Sequence, residues 1–416
     1  MMSNSNEHFQ FTDERFADLQ MLRYRLNGFE DLTLSQQIYI YCLAKATLMG
    51  RDITFDQQGK YNLRIRKTLE AIYKHYDGDR TSDDFKALEV YLKRVWFSSG
   101  IYHHYGCEKF KPGFSEHFFY EVVSMMPETE LPLKRGETKE DLLDELVPVI
   151  FDEEILPKRV NQTDGVDLVA TSACNFYEDV TQDEVERFYA RLKDGEDLTP
   201  PSYGLNSKLM KRNGEIVEMT WKEDGMYGTA IKEITSWLLK AQKYAENEQQ
   251  AHVIDLLIKY YRTGDLSDFD RYSIAWVKQQ EGMVDFINGF IEVYGDPLGL
   301  KGTWEGLVEF KDMKATRRTQ AISQNAQWFE DHSPVAPQFK KAEVKGVTAH
   351  VICAAMLGGD EYPASAIGIN LPNANWIRET HGSKSVTIGN LTEAYNKAAH
   401  GNGFLDEFAI DQETLD

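Results

Sequence analysis

The stretch FINGFIEVYGDPLGLKGTWEG, residues 286–306, constrains the fold more than any other part of the sequence. Its first half is rich in β-branched and aromatic residues, which predicts a strand. The strand ends at Gly295-Asp296-Pro297, because proline lacks the N–H that a sheet needs and glycine favours turns. The break leaves Glu292 and Tyr294 at the strand end, beside a loop rich in glycine. A second stretch, IGINLPN at 367–373, also reads as a strand that ends in a proline turn. We therefore expect two strand ends that present polar side chains to one cleft.

Length and charge restrict the possible classes of protein. With 416 residues, the chain exceeds the size at which one core usually stops growing, so we expect two lobes. A hydrophobic content of 42% argues against wholesale disorder. The formal net charge of −21 argues against nucleic-acid partners and against anionic membrane surfaces, because no basic patch would neutralise phosphates. An acidic cleft favours cationic ligands instead.

The cysteines and the N-terminus indicate a cytoplasmic protein. The four cysteines are far apart and form no CxxC pair, which favours reduced thiols over a disulfide framework or a cysteine zinc site. No basic flank followed by an apolar core marks a signal peptide, and no apolar run approaches the length of a membrane span.

Hydrophobic periodicity predicts a helical N-terminal region followed by a mixed region. Helices are expected from Thr12 to Arg25 and from Leu34 to Met49, the latter with a Thr33–Gln36 capping box and Gly50 as its C-cap. Asn213-Gly214 predicts a β-hairpin turn. The other expected helices are 62–76, 84–95 (capped by Thr81), 140–146, one that starts at a Thr181–Glu184 capping box and runs through Phe188 to Leu192, 227–246, 249–261, 269–280, 312–330 and 390–399. The other expected strands are 284–294, 347–356, 366–371 and 385–388. Strands in 168–220 and 283–389, between helical regions, predict an α+β fold.

Residue patterns alone give no complete catalytic set. None of the ten histidines is followed directly by glutamate, so HExxH is absent, and no GxSxG elbow or Walker loop is present. His103 and His104 are adjacent, and neighbours on a strand point to opposite faces. We therefore favour a packing or surface role for this pair over a metal site.

The two strand ends resemble dipeptidyl peptidase III, the M49 family of zinc exopeptidases. The residues that carry the resemblance are FIEVYGDPLG at 290–299, Gly302, Glu305-Gly306, GINLPN at 368–373, SVTIGN at 385–390, and YHHYG at 102–106 with Lys109-Phe110 and Pro112. The similarity extends from about residue 12 to about residue 410 and is closest to the Bacteroides-type members.

The resemblance implies an α+β, helix-rich architecture of two lobes. In the family, a lower lobe around a mixed β-core, a five-stranded barrel, faces a helical upper lobe that carries zinc; here the upper lobe would be incomplete. Residues 1–312 would form the first part of the lower lobe, and 313–353 a helical excursion into the upper lobe. Residues 354–399 would return as strands of the substrate-binding wall, and 400–416 would start the upper lobe again.

The resemblance further implies how a peptide binds. The substrate would lie as an added strand against the backbone edge of Ile367-Gly368-Ile369, which tolerates most side chains. Glu292, Asn370 and Asn373 would hold its N-terminal ammonium, through a carboxylate and two amide oxygens. Without the resemblance, a glutamate at a strand end is more often an ordinary surface residue, and asparagines around a proline are ordinary turn formers.

Three further residues receive roles from the resemblance. Tyr294 would stabilise the oxyanion that develops on the scissile carbonyl; without the resemblance, a tyrosine at this place would be a packing or turn residue. Asp296 and Glu305 would order the loop.

The zinc motifs of the family, HExxGH and EExxAE, would lie downstream of the last residue. We therefore expect the substrate-binding part of an exopeptidase that releases dipeptides from short peptides with a free N-terminus, without zinc bound by this chain and inactive alone. The alternative is a non-catalytic peptide-binding or interaction module. The oligomeric state stays open.

Overall fold

The computed structural model describes residues 9–344, 347–363 and 365–399 and has a mixed α and β composition. The strands are β1 (Thr12–Phe16), β2 (Leu19–Leu22), β3 (Tyr177–Glu178), β4 (Ser207–Arg212), β5 (Glu215–Thr220), β6 (Val284–Glu292), β7 (Thr303–Lys311), β8 (Val347–Gly359), β9 (Gly368–Leu371) and β10 (Ser383–Ile388). The helices are α1 (Leu34–Met49), α2 (Arg51–Gln57), α3 (Asn62–His75), α4 (Asp83–Phe97), α5 (Glu116–Met125), α6 (Lys139–Phe151), α7 (Gln182–Ala190), α8 (Gly228–Gln242), α9 (Glu248–Thr263), α10 (Leu266–Lys278), α11 (Met313–Gln324), α12 (Ala326–His332), α13 (Asn375–His381) and α14 (Gly389–Ala399). Within these ranges, no helix combines the length and the apolar character that crossing a bilayer requires.

A five-stranded mixed sheet in the order β6-β7-β8-β10-β9 organises the second half of the chain. Only the β8–β10 pair is parallel; the other three pairs are antiparallel. The expected α+β class is therefore confirmed, with its five strands in one sheet. Within the described residues β6 and β9 do not pair, so the sheet is open there and does not close into the expected barrel.

Helix α1 supports the centre of this sheet. Its N-terminus has the predicted capping box, in which Gln36 N donates to Thr33 Oγ1 and Thr33 N donates to Gln36 Oε1. The helix packs against β7 on one side and against α8 on the other, which is why both sides of it are apolar. Gly50 follows as the C-cap and lies directly against the indole ring of Trp304. The sheet, α1 and α8–α10 share one core.

The N-terminal helices have a separate core. Helices α3 to α6 pack around residues that are almost fully buried, among them Leu69, Leu88, Leu92, Phe119, Leu142 and Leu146. A third, small cluster joins α7 to the β4–β5 hairpin. The hairpin turn is the predicted one: Asn213 and Gly214 have φ of 51° and 84°, as its type requires.

Three expectations about local structure are wrong. The segment from Thr12 to Arg25 is a short antiparallel hairpin, β1–β2, instead of a helix. Helix α4 is capped by Ser82, whose hydroxyl accepts from Phe85 N, instead of Thr81. The strand β7 was not expected, although it lies inside the sheet and all but its last residue are buried.

The proposed lobe boundary at residues 353 and 354 falls inside strand β8. Residues 347–352 pair with β10 and so belong to the same sheet as the residues that follow them. The assignment of residues 313–353 to an excursion into the upper lobe stays a prediction. The assignment of residues 400–416 lies outside the described residues.

The contact between Gly50 and Trp304 gives a first prediction. A Cβ at position 50 would lie 2.2 Å from Trp304 Cη2, and that ring is fully buried. We expect Gly50→Ala to lower the free energy of unfolding by about 1–3 kcal/mol, the usual cost of overpacking a core, in urea unfolding followed by circular dichroism.

Gly195→Ala is the matched control, because a Cβ there meets no atom within 4 Å. It should change the free energy of unfolding by less than about 0.5 kcal/mol. Equal stability of the two variants would contradict the packing of α1 against the sheet.

Candidate functional site

The end of β6 determines where Glu292 and Tyr294 lie. Glu292 is the last residue of β6 and pairs with Thr303 of β7, after an irregularity in the register that follows Phe290. Glu292 is half-buried, whereas 83% of the Tyr294 side chain is exposed. Its phenol has no hydrogen-bond partner in the described part of the chain, so it is free to meet a ligand.

Buried Asp296 organises the loop of residues 293–302. Its carboxylate accepts hydrogen bonds from three backbone N–H groups of the loop and from one tyrosine hydroxyl. These distances are 3.2 Å from Leu298 N, 2.8 Å from Leu300 N, 2.9 Å from Lys301 N and 2.8 Å from Tyr177 Oη. Burial raises the pKa of Asp296, and the four hydrogen bonds oppose that rise by stabilising the ionised form. The buried Asp296 carboxylate thus fixes the conformation of the loop that carries Tyr294.

Lys301 fastens the same loop to the β4–β5 hairpin. Its side chain is fully buried, and its ammonium donates to the hydroxyls of Tyr189 and Ser207, the latter at 3.1 Å. Glu218 of β5 lies 3.9 Å away and accepts from both hydroxyls. Burial lowers the pKa of Lys301 to about 8.

Glu305 lies in a different environment from the one expected. It is the third residue of strand β7 and is 1% exposed, so it is part of the sheet and not of the loop. It faces Gly289 of β6 and Gly359 of β8 across the two ladders. It is therefore not available to order the loop from solvent.

Strand β9 forms an edge of the sheet. It pairs with β10 on one side, and within the described residues it has no strand on the other. Ile388 N donates to Ile367 O at 2.9 Å, and hydrogen-bonded pairs alternate along an antiparallel ladder. The backbone groups of Gly368 and Asn370 therefore point to the open edge, while those of Ile367 and Ile369 point to β10.

The two strand ends meet at a cavity of about 920 Å³. Glu292 and Tyr294 line it from β6 and its loop, and Asn373 lines it from the turn after β9. The side chain of Asn370 does not line the cavity; its Oδ1 accepts a hydrogen bond of 3.2 Å from Ser385 Oγ. The structure thus brings together three of the expected residues and places Asn370 on the adjacent strand edge.

Aromatic residues of α10 and α13 form a further wall of this cavity. Tyr272 and Trp276 come from α10 and Trp376 from α13, and Asp270 adds a carboxyl whose pKa burial raises to about 6. Sequence reasoning missed this wall, because aromatic residues at helical spacing are also what an ordinary core helix contains.

An acidic cluster lies behind Glu292, on the side of the sheet. It comprises Glu305, Asp360 and Glu361, the last two in the turn after β8. Burial raises the pKa of all three, to about 6 for Asp360 and about 7 for Glu361, and mutual repulsion and the Glu292 charge add to the rise. These residues are neighbours only because β7 pairs with β8. Their spacing in the sequence therefore does not predict the cluster.

The adjacent histidines have local partners. His103 Nδ1 accepts from the backbone N–H groups of Tyr105 and Gly106 at 3.1 and 3.0 Å, and its ring stacks on His104. Across residues 9–344, 347–363 and 365–399, no three His, Cys, Asp or Glu side chains are arranged to hold a metal ion.

The anchored loop gives a second prediction. Replacing Asp296 with Asn removes the negative charge that four hydrogen bonds stabilise. It also places an amide NH₂ group, which can only donate, next to hydrogen-bond donors. We expect Asp296→Asn to lower the free energy of unfolding by about 1–3 kcal/mol in urea. The exposed Asp164→Asn serves as the control and should be neutral; equal stability of both variants would show that the loop does not depend on the carboxylate.

Comparison with known proteins identifies relatives. The family model "Peptidase family M49" matches residues 202–413. Human dipeptidyl peptidase 3 is 24% identical over 414 residues, covering 91% of this chain and 55% of the human protein. The Dictyostelium discoideum protein of the same name is 24% identical over 401 residues, covering 89% of this chain and 55% of its own length.

Solved structures show the same fold. Dipeptidyl peptidase III from Caldithrix abyssi aligns with a TM-score of 0.62 at 19% identity over 88% of this chain and 57% of its own. The enzyme from Corallococcus sp. strain EGB aligns with a TM-score of 0.63 at 16% identity over 89% and 57%. The chain thus spans little more than half the length of these relatives. Because the family model covers just over half of the 416 residues, the chain belongs to peptidase family M49.

Proposed function

We propose that this chain is the substrate-binding part of a dipeptidyl-peptidase III-like zinc exopeptidase, which releases dipeptides from peptide N-termini. The observation that carries the proposal is the cavity where Glu292, Tyr294 and Asn373 meet beside the open edge of β9. Family membership and the dipeptidyl peptidase relatives support it. The four dispersed free cysteines suit a cytoplasmic location.

The open edge of β9 can receive a peptide as an added strand. Gly368 and Asn370 turn backbone N–H and C=O groups outward, and these groups pair with any extended peptide irrespective of its side chains. Gly368 has no Cβ, so a peptide backbone can approach closely. The edge is short, and such an edge accepts a ligand without inviting association of whole sheets.

Glu292 and Asn373 can hold the N-terminal ammonium of that peptide. A half-buried carboxylate forms a charge-assisted hydrogen bond that is stronger than one in open solvent. The amide oxygen of Asn373 accepts a second proton of the ammonium. Asn370 would add a third acceptor only if its side chain left Ser385 and turned towards the cavity.

Tyr294 can act on the scissile peptide bond. Its exposed phenol stands on the loop that Asp296 and Lys301 hold, so a hydroxyl donor is available to a carbonyl oxygen in the cleft. A donor of this kind stabilises the negative charge that develops on the oxygen, typically by about 3–4 kcal/mol.

The residues at hand do not fit a catalytic zinc site. The described part of the chain has no suitable cluster of ligands, and no histidine of the sequence is followed by glutamate. We therefore assign no step of the reaction through zinc and propose that the chain alone binds peptides without cleaving them. The same finding favours the second candidate function, a non-catalytic peptide-binding module with the same ammonium pocket.

The ammonium pocket gives a third prediction. We expect Glu292→Gln to weaken the binding of tetra-alanine with a free N-terminus about tenfold to a hundredfold, because a hydrogen bond to a charged group contributes about 1.5–3 kcal/mol. Isothermal titration calorimetry measures this. Glu128→Gln is the control, because Glu128 is exposed and lies outside the cavity, so this change should have little effect. If N-acetylated and free tetra-alanine bind equally well, the pocket does not recognise the ammonium.

The chain itself should be inactive, which is a fourth prediction. The purified protein should contain no stoichiometric zinc by elemental analysis and should not release dipeptides from a dipeptidyl arylamide. Stoichiometric zinc together with arylamide hydrolysis would overturn the separation of binding from catalysis and would exclude the non-catalytic alternative.

A further inference from the structure

The acidic cluster behind Glu292 is assembled by strand register. Glu305 of β7 faces Gly359 at the end of β8, and Asp360 N donates to Trp304 O at 3.1 Å, so the turn with Asp360 and Glu361 folds back against β7. Glu305 and Glu361 are 1% and 7% exposed. Glu292 is the member of the group that faces the cavity.

Among the described residues, no cation is in direct contact with this cluster. Within the described residues, no Lys or Arg forms an ion pair within 4.0 Å with Glu292, Glu305, Asp360 or Glu361. Arg159 acts on Asp360 from a greater distance. Oε1 of Glu305 is completely buried and has no hydrogen-bond partner among the residues that the structure describes.

A buried carboxylate without a partner costs several kcal/mol, so such groups retain a proton or pair with a cation. The raised pKa values of Asp360 and Glu361, about 6 and about 7, mean that both carboxyls keep a proton in mildly acidic solution and that Glu361 still shares one at neutral pH. The next charged groups along the sheet are Glu309, whose pKa is also raised by the Glu361 charge, and beyond it Asp285, Lys311 and Lys384. Lys384 is paired with Asp285 at 2.6 Å and so does not neutralise the cluster.

We propose that Asp360, Glu361 and Glu305 act with Glu292 as one ammonium-recognition site, in which the N-terminus of a bound peptide takes the place of a proton held by the cluster. This inference rests on the proposed function, since it takes Glu292 as the residue that meets the ammonium. Asp360 and Glu361 are then specificity-determining residues that hold negative charge next to the contact.

Two consequences distinguish this arrangement from a single fixed carboxylate. Ammonium binding lowers the pKa of the neighbouring carboxyls, so a proton leaves the protein when the peptide binds between pH 6 and 7. Raising the pH from 5.5 to 7.5 deprotonates Asp360 and Glu361 in the free protein, so affinity for the peptide should rise over this window. The rise should end as the peptide's own α-amino group deprotonates, at a pKa of about 7.7–8.0.

The test is calorimetry of the whole chain with tetra-alanine at pH 6.5, in phosphate and in imidazole buffers, whose ionisation enthalpies differ. We expect release of between about 0.3 and 1 proton per peptide bound, as a difference in the apparent binding enthalpy.

Glu361→Gln should cut the number of protons released by at least half and flatten the rise in affinity with pH. Glu128→Gln, at an exposed position outside the cavity, should leave both unchanged. If Glu361→Gln does not fold by circular dichroism, Asp360→Asn, at a partly exposed position, replaces it with the same expected direction.

The outcomes separate the two proposals. Selective binding of free over N-acetylated tetra-alanine, with no dependence of the enthalpy on buffer, overturns the proton exchange and leaves the proposed function standing. Proton release that Glu361→Gln and Asp360→Asn do not change also overturns the role of the cluster. Equal binding of the two peptides overturns the proposed function itself.

Discussion

The candidate site depends on the hydrogen bonds between the buried carboxylate of Asp296 and the loop of residues 293–302. The loop after β6 has no regular secondary structure, so its N–H groups lack the acceptors that a helix or a sheet would provide. Asp296 supplies one carboxylate for three of them, and the Tyr177 hydroxyl adds a fourth bond. The burial that makes this carboxylate costly also strengthens its hydrogen bonds, because the local dielectric is low. An exposed phenol, Tyr294, can therefore stand on a loop that does not collapse around it.

Sequence patterns predicted the structural elements that depend on only a few neighbouring residues. The capping box of α1 and the Asn213-Gly214 turn each need only a few adjacent residues, and both are present as expected. The segment around Phe16, Leu19 and Leu22 was misread as a helix, because apolar residues three apart fit one helix face. There the chain turns at Ala17, which has a φ of 50°. Alanine rarely adopts this left-handed conformation, so the sequence does not predict a turn at this position.

Strand β7 shows what local patterns miss. Gly306, Glu305 and Glu309 interrupt its apolar run, and these are residues that strands usually avoid. Each has a tertiary reason: Gly306 makes room for Thr47 of α1, and the two glutamates lie buried inside the sheet. Glu292, Tyr294 and Asn373, which the resemblance to a family singled out, all line one cavity, and their roles stay predictions. Asp360 and Glu361 come close to Glu305 only through the pairing of β7 with β8.

An open sheet edge and a charge cluster solve different parts of peptide recognition. The edge of β9 offers backbone groups that repeat every two residues, so a peptide could shift by two residues, about 7 Å, and make the same hydrogen bonds. Only the first residue of a peptide carries an ammonium, so a carboxylate at the end of the edge selects one register out of many. A permanently charged, unpaired group there would destabilise the empty protein, whereas a carboxyl that gives up its proton when the ammonium arrives avoids that cost. The arrangement meets this requirement, because the half-buried Glu292 can contact the ammonium. Glu361 and Glu305 are buried behind it and can release a proton when the ammonium binds.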